Sequence, residues 1–188
     1  MESILVQRQS KRAYLDKRIP GDVLRRVLEK TRWAPSSSNN QPWRFIVVQE
    51  PEALARLQEG LTRGNAWAKA APVLIALAAH EADDYTRRDN PAVKYYLLDC
   101  GLALENLLLA AVEEGLMGHP MAGFKTTVVR EALGIPSEYD ILCLISLGYP
   151  GRIEDLDERT RAKDEKPRTR RDTSEVFFFD RWSSGENA

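Results

Sequence analysis

Residues 35–43 read Pro-Ser-Ser-Ser-Asn-Asn-Gln-Pro-Trp, a run of hydroxyl and amide side chains between two prolines that ends in a large aromatic. Such a run cannot build a core, but it offers many hydrogen-bond donors and acceptors on a short, stiffened segment. A helix pattern precedes it and a strand pattern follows it. Residues 35–43, the Ser/Asn loop, are therefore predicted to be a binding loop; the alternative is an ordinary helix-to-strand turn.

The segments on either side of the loop alternate between helix and strand patterns. Residues 20–33 place Val23, Leu24, Val27 and Leu28 on one helical face, and the first proline of the loop ends that helix. After the loop, the sequence predicts a strand over 45–48, a helix that Pro51 opens, and a continuous apolar strand over 72–78. The last of these is expected to be covered on both faces.

The longest predicted helix starts at Pro91 and runs to about Glu114. Between residues 101 and 112 only Glu105 and Asn106 are polar, and a helix that is apolar nearly all round must be buried on most sides. One copy of so short a chain has little material to bury it. We therefore expect this helix to pack against a second subunit; the alternative is a central helix wrapped by its own chain.

The remaining patterns complete a predicted α+β fold. Residues 118–123 are predicted as a loop, 128–133 as a short helix closed by Gly134, and 141–147 as another buried strand. The elements alternate with irregular spacing, which favours a mixed central sheet flanked by helices, with the long buried helix at a homodimer interface. The alternative is a regular doubly wound fold.

The C-terminal segment has a different composition. Residues 152–172 contain eight basic and seven acidic side chains, and Val-Phe-Phe-Phe follows at 176–179. The charged stretch is predicted to be solvated, whereas the apolar one must dock on its own sheet or on a partner. The predicted organisation is one domain over residues 1–188, with a C-terminal arm at about 151–188.

Overall composition excludes several classes of partner. The 188 residues include 27 basic and 28 acidic side chains, so the chain has no general attraction for nucleic acid or an anionic membrane. Cys100 and Cys143 lie in apolar patterns and are predicted to be buried thiols, as in a reducing compartment. Residues 1–4 show no secretory pattern. A cytoplasmic protein with a small-molecule partner is expected.

Residues 8–12 (Arg-Gln-Ser-Lys-Arg), the opening motif, combine two guanidinium groups with a hydroxyl. Arg8, Ser10 and Arg12 share a face if the segment is extended, and the two arginines share one if it is helical. Such donors suit a phosphate, because planar guanidinium groups match its oxygens. The alternative is a basic surface segment.

The sequence offers no obvious acid, base or nucleophile. His80 and His119 lack metal-ligand spacing, so no metal site is predicted. Gly-x-Gly-x-x-Gly, Walker and Gly-x-Ser-x-Gly patterns are absent from the sequence. These absences favour an organic cofactor that would carry the reaction while the protein binds and orients it.

Together these segments resemble the nitroreductase family of FMN-dependent oxidoreductases. The resemblance covers nearly the whole chain, and its motifs occur in the family's order. They lie at residues 8–14, 34–45, 71–75, 99–107, 120–124 and 148–150, and the basic part of the arm, called the basic tail, follows them with Lys166, Arg168 and Arg170. It implies an α+β homodimer with two FMN sites at the subunit interface.

The resemblance also implies site residues. In the family the opening motif grips the FMN phosphate and ribityl chain, the basic tail adds phosphate contacts, the Ser/Asn loop touches the flavin of the other subunit, and the loop after the long helix lies along the ring. The implied cofactor-binding residues are Arg8, Gln9, Ser10, Arg12, Pro35, Ser36, Ser37, Asn39, Pro120, Ala122, Gly123, Arg168 and Arg170. Lys166 is an alternative in the tail, and Asn65 is a further candidate near the ring.

The implied activity is a ping-pong transfer of electrons from NAD(P)H through FMN to nitroaromatics, quinones or similar acceptors, with no catalytic side chain. The alternatives are a specialised FMN enzyme, such as a reductive dehalogenase or a dehydrogenase of one metabolite, and a flavin-binding protein without turnover. Two positions depart from the family: Gln9 stands where a basic residue is frequent, and Ala122 where some members carry an acidic one.

Overall fold

The computed structural model describes residues 3–182. It contains six α-helices and four strands within those residues. They are α1 (Ile4–Gln7), α2 (Gly21–Thr31), β1 (Trp43–Val48), α3 (Pro51–Gln58), β2 (Val73–His80), α4 (Tyr95–Glu113), β3 (Met117–Met121), α5 (Thr126–Leu133), β4 (Tyr139–Gly148) and α6 (Glu158–Asp164).

One sheet organises the fold, with strand order β1-β2-β4-β3. All three pairings are antiparallel, with Phe45 opposite Leu77 and with Ile75 and Pro120 both opposite Ile145. The predicted α+β class is confirmed, but the sheet is antiparallel where a mixed sheet was expected. The connection between β1 and β2 contains α3 and a 3-10 turn, and a connection of that length can return the chain in either direction.

The central strand β2 is buried on both faces, as predicted. Leu74, Ala76 and Ala78 face a core built with α3 and α5, while the intervening residues face a second core built with α2 and α4. Helices therefore cover both faces of the sheet. The predicted helices at 20–33, at Pro51 and at 128–133 are also confirmed, and the last ends at Gly134 with φ 63°.

Residues 118–123 were predicted as a loop, and this prediction is wrong over residues 118–121. Met117–Met121 is strand β3, paired with β4. Gly118 and Pro120 gave the loop signal, but an edge strand tolerates proline because one side of its backbone has no neighbour. A Cβ at Gly118 would lie 2.6 Å from Leu108 Cδ2, so this glycine lets the strand approach α4 closely.

Helix α4 lies against the sheet and buries eight of its residues. Its length and composition alone would allow it to cross a bilayer, but 44% of the apolar window is already buried within the protein. The opposite face carries Leu97, Leu98 and Leu102, and Leu98 is 57% exposed. The fold thus covers one side of the helix and leaves an apolar side uncovered by the described part of the chain.

The arm begins after β4 and includes α6 and two 3-10 turns. Its aromatic end does not dock on the sheet of its own chain: Phe177 is exposed, and Phe179 is 88% exposed. Phe178 instead packs on Trp182, with ring centroids 4.4 Å apart. Residues 183–188 of the predicted arm lie outside the described residues.

Candidate functional site

The opening motif follows α1 directly, and Arg8 leaves the helix in an extended conformation with φ −61° and ψ 118°. The opening motif forms one wall of a cavity of about 350 Å³, and the arm forms the other wall. We call this cavity the basic pocket. Six of the ten lining residues are basic and one is acidic. The lining residues are Arg8, Gln9, Ser10, Lys11, Lys163, Asp164, Lys166, Pro167, Arg168 and Arg170.

The basic pocket brings together the opening motif and the arm, the two segments that the family resemblance implied would share a phosphate. Arg168 donates to the carbonyl oxygens of Arg8, at 2.5 Å, and of Val6, at 2.8 Å, so the arm is tied to the end of α1. Arg8 Nε in turn lies 3.7 Å from Glu105 Oε1 on α4. Lys166, the alternative to the two arginines of the tail, lines the same pocket.

Arg12 lies behind this pocket and is not among its lining residues. Its Nη1 donates to Asp164 Oδ1 at 2.5 Å, and its backbone N–H donates to Asp164 Oδ2 at 2.8 Å. The Asp164 side chain is 1% exposed and that of Arg12 is 21% exposed. The guanidinium also lies over the Trp67 ring, 5.6 Å from its centroid. In this geometry Arg12 is already occupied by a protein carboxylate.

Asp164 was missed by the sequence analysis, which treated the arm as solvated. It is the buried end of α6, and its backbone oxygen also accepts a hydrogen bond from Lys11 Nζ at 3.3 Å. One aspartate therefore contacts two residues of the opening motif. An acidic residue among many charged neighbours gives no sequence signal, because only the fold shows which carboxylate is buried.

A cluster of rings and hydroxyls lies beneath Arg12. His119 Nδ1 is 3.0 Å from the Lys11 carbonyl oxygen, and its ring packs on Trp67 with centroids 4.5 Å apart. Tyr14 Oη and Ser146 Oγ are 2.7 Å apart. Burial lowers the pKa of His119 and raises the pKa of Tyr14, which favours the neutral form of both. The cluster thus supports the opening motif from below without adding charge.

The Ser/Asn loop contains a 3-10 turn at Ser37–Asn39 that α4 holds in place. Asp99, buried in α4, accepts hydrogen bonds from Ser37 N at 3.0 Å and from Ser37 Oγ at 3.3 Å. Ser36 Oγ accepts from the Gln41 backbone N–H at 3.0 Å, which closes the loop on itself. Asp99 was also missed as a site residue, although the sequence places it in the long helix.

The backbone of this loop is strained. Ser38, Asn39 and Gln41 have φ values of 52°, 58° and 50°, in the left-handed region that disfavours residues with a Cβ. Such residues persist only where surrounding contacts fix them, and they occur frequently at functional sites. Ser37 and Ser38 line a second cavity, of about 910 Å³, which shares no lining residue with the basic pocket. We call it the loop pocket.

The segment after β3 contains the other predicted ring contacts. Pro120 is half-buried in β3, Ala122 is exposed, and the Gly123 carbonyl accepts from Thr62 Oγ1 and Asn65 Nδ2, both at 2.9 Å. A Cβ at Gly123 would lie 2.8 Å from Asn65 Nδ2. Glycine therefore allows this double contact. The structure assigns the Asn65 amide nitrogen to the backbone of this turn.

Within residues 3–182 the structure contains no group of three histidine, cysteine or carboxylate side chains that could hold a metal ion. Both cysteines are free. Burial raises the pKa of Cys100 to about 12 and that of Cys143 to about 11, so neither is poised as a thiolate nucleophile. The site consists of binding groups: a basic pocket, a strained polar loop and a glycine turn.

An α+β protein with a basic pocket and a fixed polar loop, but no poised thiolate nucleophile, has the features of a cofactor-binding protein. The family model named Nitroreductase family matches residues 5–65 and 59–149. The chain belongs to the nitroreductase family, as its motifs indicated.

Individual relatives agree with this assignment. A protein of Archaeoglobus fulgidus, described as a candidate NADH dehydrogenase/NAD(P)H nitroreductase, is 31% identical over 159 residues, 82% of this chain and 88% of that protein. An NADH dehydrogenase of Thermus thermophilus is 32% identical over 173 residues, 77% of this chain and 84% of its own length.

Solved structures share the fold. One described as an oxidoreductase containing FMN has a TM-score of 0.85 and 27% identity, and the match covers 97% of this chain and 93% of that one. An FMN-dependent nitroreductase of Clostridium difficile has a TM-score of 0.65 and 28% identity, covering 83% of this chain and 94% of that one. The predicted nitroreductase-like fold is confirmed. The contacts of the individual site residues with a flavin stay predictions.

Proposed function

We propose that this protein is an FMN-dependent oxidoreductase that takes electrons from NAD(P)H and passes them to nitroaromatic, quinone or similar acceptors in ping-pong order. The observation that carries the proposal is the basic pocket, which joins the opening motif to the arm in a chain of the nitroreductase family. Similarity to an FMN-containing oxidoreductase and to a candidate NAD(P)H nitroreductase supports the choice of cofactor and electron donor.

The donor set of the basic pocket suits a phosphate monoester. Arg8, Arg168 and Arg170 line the pocket with planar guanidinium groups, and Ser10 adds a hydroxyl. Arg168 also donates to the carbonyl oxygens of Arg8 and Val6, but each of the two nitrogens that do so carries a second N–H. The acidic member of the lining, Asp164, is already paired with Arg12. These residues would hold the FMN phosphate. When bound, FMN supplies the two-electron chemistry that the side chains lack.

The polar loops would hold the flavin ring. Pro35, Ser36, Ser37 and Asn39 present donors and acceptors on a loop that Asp99 fixes from α4. Pro120, Ala122 and Gly123 bring a narrow backbone segment toward the ring, and backbone N–H groups there would favour negative charge on the cofactor. Neither segment needs to donate or accept a proton for the ring to be bound and oriented.

We further propose that residues 1–188 form one FMN-binding domain that functions as a homodimer. The uncovered leucines of α4 and the exposed aromatic residues of the arm are apolar surfaces that a second copy would bury. The basic pocket and the loop pocket share no lining residue, which agrees with a flavin whose phosphate is held by one protomer and whose ring is touched by its partner. The cytoplasmic location stays a prediction.

Absorbance spectroscopy of the purified protein, followed by anaerobic titration with NADH and then NADPH, tests the proposal. We expect a yellow protein that at least one nicotinamide bleaches, and parallel double-reciprocal lines with a quinone as acceptor. A colourless protein that ignores added FMN would end the proposal. A yellow protein that neither nicotinamide bleaches would instead support a flavin-binding protein without turnover, and intersecting lines would refute the ping-pong order.

A further inference from the structure

The loop pocket lies beside the predicted flavin-contact residues but has its own chemistry. Its walls are Ser37 and Ser38 on one side and, on the other, residues 85–89 with the first residue of α4. Its lining residues are Ser37, Ser38, Tyr85, Thr86, Arg87, Arg88, Asp89 and Tyr95. We propose that this pocket selects acceptors that are flat and carry a negative charge, and that Arg88 binds the charged group. This inference rests on the proposed function, because Ser37 and Ser38 would place the pocket beside the flavin.

Hydrogen bonds hold the segment that leads into the wall of the pocket. Asp83 accepts from Asn40 Nδ2 through its backbone oxygen, at 3.2 Å, and from Arg44 Nη2 through its carboxylate, at 3.0 Å. The next residue, Asp84, accepts from the first turn of α4 at Tyr96 N, at 2.7 Å. The lining residues 85–89 therefore follow directly on two aspartates that are tied to the Ser/Asn loop and to α4.

The aromatic side chains of the wall suit a planar molecule. The rings of Tyr85 and Tyr95 are arranged edge to face, with centroids 5.9 Å apart and planes at 76°. Tyr85 is 45% exposed. An exposed aromatic ring in a cavity offers a surface on which a flat ring can pack with loss of water from both.

The charges of the wall leave one cation uncommitted. Arg87 pairs with Asp89, with Nε to Oδ1 at 2.9 Å and a second, shorter contact between the same groups. Asp89 is the acidic residue of the lining, and this pair neutralises it. Arg88 is exposed and has no hydrogen-bond or ion-pair partner among residues 3–182. The pocket thus presents one free guanidinium beside two aromatic rings.

A free guanidinium favours a carboxylate over its neutral amide, because two parallel N–H groups match two carboxylate oxygens. The sharpest test compares kcat/KM for 4-nitrobenzoate and 4-nitrobenzamide, which carry the same reducible group on the same ring. We expect the holoenzyme to prefer the carboxylate. We expect Arg88→Gln to reduce the carboxylate-to-amide ratio about tenfold, and Arg88→Lys to retain part of the preference.

Arg25→Gln on the exposed side of α2 is the matched control, because it removes the same charge outside the lining of this pocket. It should leave the ratio unchanged. If Arg88→Gln leaves the ratio unchanged as well, or if both variants reduce it equally, the assignment of Arg88 is overturned.

Two further measurements separate the possible failures. NADPH carries an additional phosphate, so kcat/KM for NADPH and NADH is measured in the same variants. If Arg88→Gln lowers the NADPH-to-NADH ratio and leaves the carboxylate-to-amide ratio unchanged, Arg88 binds the electron donor and the acceptor assignment is overturned.

Binding of benzoate and benzamide to the oxidised holoenzyme is followed by the flavin absorbance. If neither nitro compound is reduced but benzoate binds more weakly to Arg88→Gln than to wild type, the proposed acceptor class fails while the anion site stands.

Discussion

The basic pocket and the loop pocket are built in opposite ways. The basic pocket has a volume of about 350 Å³ and is organised around a carboxylate that is almost fully buried, Asp164. The loop pocket has a volume of about 910 Å³, and of the charged residues on its wall Arg88 and Asp89 are exposed and Arg87 is half-buried. The basic pocket would hold the cofactor phosphate, which is the same in every turnover, whereas the loop pocket would bind acceptors that differ from one another. Changes in the first should therefore affect stability and cofactor retention, and changes in the second should affect selectivity.

The largest effect is expected from breaking the ion pair between Asp164 and Arg12, and Asp164→Asn does so by removing the negative charge that both the backbone and the guanidinium of Arg12 contact. Breaking a buried ion pair leaves its partner uncompensated, so we expect the free energy of unfolding to fall by about 3 kcal/mol. Denaturant unfolding measures this loss, and FMN retention on gel filtration should fall with it.

Glu165→Gln is the control for this experiment, because Glu165 is the next residue and is exposed. Its contact with Arg161 is long, at 4.0 Å, so its removal should change stability by less than about 0.5 kcal/mol. Equal unfolding midpoints for Asp164→Asn and Glu165→Gln would show that the buried pair does not hold the arm to the opening motif.

A smaller effect is expected from Asp99→Asn, which tests the loop side of the comparison. Both carboxylate oxygens of Asp99 accept a hydrogen bond from Ser37, whereas the asparagine side chain has one oxygen to accept and turns its NH₂ group toward the other donor. One charge-assisted hydrogen bond, worth about 2 kcal/mol, is therefore lost. Denaturant unfolding should show this decrease. Glu113→Gln on the exposed part of the same helix is the control, since it breaks only a surface pair with Lys30. If both variants unfold alike, Asp99 does not hold the strained loop.

Arg8 and Arg12 offer a comparison within the opening motif itself. Arg8 lines the basic pocket, so Arg8→Gln should weaken FMN binding by about 1.5 kcal/mol, which is roughly tenfold, with little change in stability. Arg12→Gln should mainly reduce stability, because it leaves Asp164 buried without its partner. Titration of the apoprotein with FMN, beside denaturant unfolding, measures both. Weak FMN binding with unchanged stability in Arg12→Gln would restore Arg12 as a direct phosphate contact, as the sequence predicted.

The sequence predicted those parts of the fold whose signal is local. The apolar periodicity of α2 and the continuous apolar run of β2 depend on neighbouring residues, and both elements lie where they were expected. Strand β3 was missed because its identity depends on pairing with β4, more than twenty residues away in sequence. Gly118 and Pro120 carry a turn signal that the edge of the sheet overrides.

The same distinction applies to the candidate site. Residues with a motif, such as Arg8 and Ser10, could be found from the sequence, and the structure brings them to one pocket with Arg168. Asp99 and Asp164 could not, because each acts through a contact with a residue more than sixty positions away. Their role depends on burial, and burial of one carboxylate among many is a property of the folded chain.

The smallest expected effect is a pH dependence of stability that originates beneath the opening motif. Burial lowers the pKa of His119 below its ordinary value of 6.5, and its Nδ1 donates to the Lys11 carbonyl oxygen as a neutral ring. The unfolded chain therefore takes up a proton as pH falls through about 6.5, while the folded chain does not. Stability from this source is complete above that pH, declines as pH falls through it, and stops declining once the folded ring is also protonated.

Replacing His119 with Gln keeps a donor for the Lys11 carbonyl oxygen but removes the titrating group. The slope of unfolding free energy against pH between about 7.5 and 5.5 should then be shallower than in wild type. An identical slope in the two proteins would mean that His119 titrates normally, and that the cluster beneath Arg12 is open to water rather than a dry support for the basic pocket.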